Sequence, residues 1–171
     1  HINLWLLRDA NGWTAVDCGI GADDTRAHWE TIFTDVVGSA GLTRVLVTHF
    51  HPDHFGNAGW LTQRFAAPLW MTETEYLTAH AQYQTLAGFG SDATAALFSE
   101  HGLDAERLSG ISGRGNSYRK IVGEPPSRFV RMLDGDEIEI GGNAWRVIVG
   151  YGHAPEHAAL YCKSLGVLIS G

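Results

Sequence analysis

Cysteine is scarce in this chain. Its 171 residues hold two, Cys18 and Cys162, which excludes a disulfide framework. Both sit in strand-like surroundings, where a small buried thiol is the ordinary role; a ligand role for Cys18 stays open. Basic residues are also few: 12 against 19 acidic ones, for a net charge of −7. That balance excludes a broad phosphate-binding face and argues against a nucleic-acid partner. No long apolar run appears, so no secretory leader or membrane span is visible, and no membrane partner is expected. Cytoplasm is the default location. Repeats and low-complexity stretches are missing as well. What remains is a 44% hydrophobic chain of a length that suits one domain with a sizeable core.

The pattern along the chain alternates strands and helices. Ile2 to Arg8 and Trp13 to Asp17 read as a hairpin around Ala10-Asn11-Gly12. Asp23 and Asp24 are placed to cap a helix running to about Val37, ended by Gly38. Arg44 to Thr48 is a strand, Phe55 to Phe65 a helix, and Leu69 to Met71 a short strand. Residues 73–123 form a helical insertion, with helices over Glu73–Leu86, Ser91–His101 and Asp104–Ser117. The insertion either covers the sheet edge or acts as a lid. Arg114, Arg119 and Lys120 cluster in it, either as a solvated face or as a substrate-carboxylate site. From Arg128 onward strands return: Phe129–Leu133, Glu137–Ile140, Ala144–Val149, Ala158–Cys162 and Val167–Ile169.

The densest chemistry lies at the end of the Arg44 strand. His49, His51, Asp53 and His54 are packed into six residues. Side chains at i and i+2 on a strand point the same way, so His49 and His51 can grip one ion. Pro52 cannot continue a central strand, so the chain turns there. Asp53 and His54 then lie on the turn and can face a second ion. Imidazole with carboxylate suits zinc, and also iron or manganese. Four ionisable groups crowded at a strand end need something to organise them.

Thr48-His49-Phe50-His51-Pro52-Asp53-His54-Phe55-Gly56-Asn57, with Gly59, resembles the T-H-x-H-x-D-H-x-G-N signature of the metallo-β-lactamase fold superfamily. Asn3-Leu4-Trp5-Leu6-Leu7 and Ala15-Val16-Asp17-Cys18-Gly19 resemble its opening hairpin and V-D-T-G turn, with Cys18 where Thr is usual. Gly152-His153-Ala154-Pro155-Glu156-His157 is similar to its G-H-[ST]-P-G-H element, with Tyr151 where Pro is common and Glu156 where Gly is common. The resemblance covers nearly the whole chain.

That resemblance implies an α/β fold, the four-layer αββα sandwich of the family, here as a single domain over residues 1–171 that is incomplete in its second half. Val167 to Gly171 resembles the family strand ending L-x-x-G-D. The Asp that would bridge two ions is expected at the next position, and a further His well beyond it. A 171-residue chain is accordingly expected to hold a second ion weakly. The resemblance further implies His153 as a third imidazole on the first ion and two zinc ions in the complete protein. Asp17 and His157 are expected just outside the ligands, with Asp17 bonding a ligand imidazole. The activity implied is hydrolysis of a small-molecule thioester or lactone, similar to glyoxalase II, by metal-activated hydroxide, with Asp53 as a base orienting the nucleophile. A mononuclear iron oxidoreductase of the same fold, similar to a persulfide dioxygenase, and a non-catalytic zinc-binding module are the alternatives.

Overall fold

The hairpin forms as its turn residues direct. β1 (Trp5–Asp9) and β2 (Gly12–Val16) pair antiparallel with Asp9 opposite Gly12. Gly12 has φ +154°, and a Cβ there would sit 2.8 Å from the Gly41 carbonyl oxygen, so a side chain would collide with backbone. β3 (Leu42–Leu46), β4 (Leu69–Met71) and β5 (Val130–Arg131) join in parallel, giving one sheet in the order β1-β2-β3-β4-β5. β6 (Glu137–Ile140), β7 (Asn143–Gly150), β8 (His157–Cys162) and β9 (Val167–Ile169) make a second, antiparallel sheet. This computed structural model describes residues 2–86, 88–112 and 115–171.

Period-2 alternation decides what faces what. Ala15, Val45 and Val47 point to the helices; Val16, Leu46 and Met132 point to the second sheet. α1 (Asp23–Ile32), α2 (Pro52–Phe55), α3 (Ala58–Phe65) and α4 (Glu73–Gln84) supply Trp29, Phe55, Leu61 and Tyr76 to the first core. Ile138, Ile140, Trp145, Val147, Leu160 and Ile169 fill the second core, between the sheets. Each large apolar side chain buried in this way contributes about 1.5–3 kcal/mol. On the outer face of the second sheet, Ile148, Tyr161 and Leu168 are exposed. Three layers of an αββα sandwich are thus present among the described residues: helices, mixed sheet and antiparallel sheet.

Local departures from the sequence pattern have tertiary causes. α1 has Ala22 as its N-cap with no side-chain bond; Asp23 and Asp24 lie in the first turn, where they meet the positive helix end for about 0.3–1 kcal/mol each. The α-helix stops at Ile32 and the coil widens into a π turn over Phe33–Val37 before Gly38 turns at φ +57°. The single helix expected over Phe55–Phe65 is two, because the Asn57 N–H leaves the helical ladder for the Gly19 carbonyl at 3.2 Å. The helix expected over Asp104–Ser117 is also two. α6 covers Ala105–Ser112, and the separate α7 (Ser117–Ile121) is capped by Asn116, whose side chain accepts the Arg119 N–H at 2.8 Å. With α5 (Ser91–Glu100), these helices carry the chain from β4 to β5.

Candidate metal centre

The carboxyl ends of β2 and β3 and the β7–β8 connection meet at one edge of the two sheets. Parallel strands of an open α/β sheet present ligands at their carboxyl ends. After Leu46 the chain leaves the ladder: the Val47 N–H still bonds the Trp70 carbonyl at 2.9 Å, but the Thr48 N–H donates to the Asp17 carboxylate at 2.8 Å. His153 arrives from the far side, on the loop joining β7 to β8.

Three imidazoles converge there. His153 Nε2 lies 3.1 Å from His51 Nδ1 and 3.2 Å from His49 Nε2. Nitrogen donors on one tetrahedral Zn²⁺, bound at about 2.0–2.1 Å, stand about 3.3–3.4 Å apart. The chain's own spacing therefore fits a single small cation. Protonation fits as well. Burial, then the neighbouring histidines, lowers the His49 pKa to about 2, so the ring stays neutral with a lone pair to offer. Burial and His153 also hold His51 below the ordinary histidine value.

Asp17 sets the tautomers. It is fully buried, with φ +62°, and accepts from the Thr48 N–H, the Thr48 hydroxyl at 3.0 Å and His54 Nδ1 at 2.8 Å. With the one hydroxyl proton directed to Asp17, Thr48 Oγ1 accepts from His49 Nδ1 at 3.0 Å. Nε2 of His49 is left as the free lone pair, on the side facing His153. Burial depresses the His54 pKa, but the bond to Asp17, its charge and that of Asp53 outweigh it and raise the value.

Asp53 and His54 stand beside this triad rather than in it. The Asp53 carboxylate is half exposed and 3.7 Å from His54 Nε2. The centroid of the His54 ring lies 4.1 Å from that of His49, the two rings tilted by 44°. The His157 ring lies 4.7 Å from His49 and 6.1 Å from His153, and burial lowers its pKa. Among the described residues, the one group of three or more whose donor atoms all lie within 4.8 Å of one another is His49, His51 and His153. Of the basic cluster, Arg119 lies over the Tyr83 ring, 4.9 Å from its centroid, Lys120 is exposed on α7, and Arg114 falls outside the described residues. The Cys18 thiol is buried, and burial together with Asp17 raises its pKa well above the ordinary range; it is a core thiol.

Sequence reasoning missed two residues at this edge, Glu75 and Tyr118. Both are buried and both bond the histidine-bearing backbone. Neither lies in a motif, and nothing in the periodicity of α4 or α7 separates them from core and surface neighbours.

A two-sheet sandwich flanked by helices, with a histidine triad at the carboxyl ends of its strands, defines a metal-binding α/β domain. The family model of the metallo-beta-lactamase superfamily matches residues 1–171, and the chain belongs to that superfamily. A beta-lactamase domain protein from Burkholderia ambifaria is similar at 43% identity and TM-score 0.86, covering 100% of this chain and 49% of that one. A metallo-beta-lactamase family protein from Thermus thermophilus is similar at 30% identity and TM-score 0.80, covering 99% and 53%. A more distant structure, 20% identical with TM-score 0.60, was solved in a di-iron-bound form. The chain spans about half the length of the first two. No curated protein sequence matches. Among the described residues no helix is long and apolar enough to cross a membrane.

Proposed function

We propose that the protein is a metal-dependent hydrolase acting on an ester-like carbonyl, a thioester or lactone, in a small molecule. The observation that carries this reading is the closure of His49, His51 and His153 from two sheets to 3.1–3.2 Å. When bound, a zinc ion supplies Lewis acidity and makes water nucleophilic near neutral pH. His49 Nε2, His51 Nδ1 and His153 Nε2 would hold it. Thr48 and Asp17 keep the His49 lone pair aimed inward. Asp53, half exposed and 3.7 Å from His54 Nε2, would take the proton of an attacking water. Asp53 and His54 would also hold a second ion, with Asp17 fixing the His54 ring.

The test uses the full-length protein. Metal-loaded protein should turn over thioester or lactone substrates, and His51→Ala should lose at least about a hundredfold in kcat/KM, consistent with loss of a ligand. Equal turnover by both proteins would defeat the hydrolase reading. A second reading, an iron oxidoreductase, rests on His49, His51 and His153 forming a compact group of three donors, a set that would suit a single iron as well as zinc. One iron per chain with oxygen uptake, and no hydrolysis, would select it.

A further inference from the structure

The two loops that bring the histidines together have no backbone hydrogen bond joining residues 49–51 to residues 153–156 among the described bonds, although the Ala158 N–H reaches the Thr48 carbonyl just below at 2.9 Å. What spans them is a side chain from α4. Glu75 is fully buried. Its Oε2 accepts the N–H of Phe50, the residue between His49 and His51, at 2.9 Å. Its Oε1 accepts the N–H of Glu156, in the His153 loop, at 2.7 Å. One carboxylate thus holds a backbone donor from each loop, one from each sheet of the sandwich.

The surrounding bonds reinforce the arrangement. Thr72, at the start of α4, donates its hydroxyl to the Glu156 carbonyl at 2.9 Å, and the Glu156 carboxylate accepts the Thr74 N–H at 3.1 Å. Glu156, where the family pattern commonly has Gly, is thereby stitched to the first turn of α4. On the other loop, the buried Tyr118 hydroxyl of α7 donates to the Phe50 carbonyl at 2.6 Å. Phe50 is gripped at both its N–H and its carbonyl, between two histidines.

We infer that Glu75 is a positioning residue that fixes the spacing between the His49–His51 pair and His153, with Tyr118 as its second anchor on Phe50. The inference rests on the metal-site reading above. Its physical basis is the carboxylate's two acceptors. An amide of the same shape has one acceptor and one donor, so Gln at this position can hold one loop but must oppose the N–H of the other. Residues that orient ligands from outside in this way typically govern metal affinity by about 10–100-fold.

The experiment titrates the metal-free full-length protein with Co²⁺ against a chelator and records the visible absorption of the bound ion. Glu75→Gln is expected to weaken Co²⁺ binding at least about tenfold and to alter the band intensities, which report coordination geometry. Tyr118→Phe, which keeps the ring, is expected to act in the same direction by about threefold, a smaller effect because one neutral bond is lost. Wild-type affinity and spectrum in Glu75→Gln would overturn the inference, even with lowered metal-free stability, since Glu75 would then be a fold residue only. If Glu75→Gln does not fold, Tyr118→Phe decides alone: unchanged affinity and spectrum overturn the proposal. Failure of the wild-type protein to bind Co²⁺ at all would instead bring down the metal reading beneath it.

Discussion

Asp17 shows how one side chain can set the chemistry of several. It sits at φ +62° with no exposure, a backbone conformation that Asp and Asn tolerate better than other non-glycine residues. Asp17→Asn therefore spares the backbone and isolates the carboxylate. The amide can accept from Thr48 on one side but presents N–H₂ toward His54 Nδ1 on the other. His54 would have to turn that nitrogen into an acceptor, placing its proton on Nε2, the atom facing Asp53. We expect a loss of about 1–3 kcal/mol in urea unfolding of the metal-free protein, together with fewer ions bound per chain by metal analysis. Full stability with unchanged stoichiometry would contradict this role. Thr48, His49, His51 and His54 were legible in the sequence because they lie in one short motif. That Thr48 relays the Asp17 constraint to His49 was not, since residues 17 and 48 meet only when β2 and β3 pair in parallel.

At the scale of elements, the short helix α2 carries His54 and is held by backbone bonds as well as by the Phe55 and His54 side chains. Gly21 N–H bonds the Ile121 carbonyl at 2.8 Å, Gly123 N–H bonds the Gly56 carbonyl at 2.9 Å, and Asn57 N–H bonds the Gly19 carbonyl. Three segments thus meet at Gly56, which with Asn57 separates α2 from α3. A Cβ on Gly56 would stand 2.4 Å from Gly21 N, 2.5 Å from the Pro52 oxygen and 2.6 Å from the Gly19 oxygen. All three are backbone atoms, so relief would require whole elements to shift. Gly56→Ala should cost about 2–3 kcal/mol by denaturant unfolding, at the upper end of overpacking; a loss under about 0.5 kcal/mol would show that the junction yields. Asn57 completes the junction, its amide donating to the Ile20 carbonyl at 2.7 Å while its carbonyl oxygen accepts from Arg26 at 3.1 Å. The apolar spacing of residues 55–65 is compatible with one continuous helix. The break belongs to the partner backbone, which periodicity along a single segment does not encode.

For the molecule as a whole, five imidazoles gathered at one sheet edge tie stability to pH. His49, His51 and His157 are held below their ordinary value of 6.5 in the fold. As pH falls through about 6.5, the unfolded chain takes up protons that these folded rings refuse, so stability present above that pH is lost on acidification. His54 runs the other way: its raised value adds stability at low pH that fades as pH rises through its folded value. Three depressed groups oppose one raised group, and His49 is displaced furthest, to about 2. The metal-free protein should therefore show a lower urea midpoint at pH 5.5 than at pH 7.5. A higher midpoint at pH 5.5 would mean that the His54–Asp17 pair outweighs the rest.

The sequence by itself determined most of the elements and the histidine donors, though not where the helices over residues 55–65 and 104–117 break. Alternating and helical periodicities mark residues that must leave water together, and the dense histidine motif with its turn-forming Pro52 is a local feature of a few consecutive residues. Only the tertiary structure decided which donors share a point in space. His49 and His153 are 104 residues apart, and Glu75 reaches both loops only because α4 packs across their ends. Such contacts depend on strand order, sheet pairing and the trajectory of helices between them, which are properties of the assembled core and leave no periodic trace in the chain.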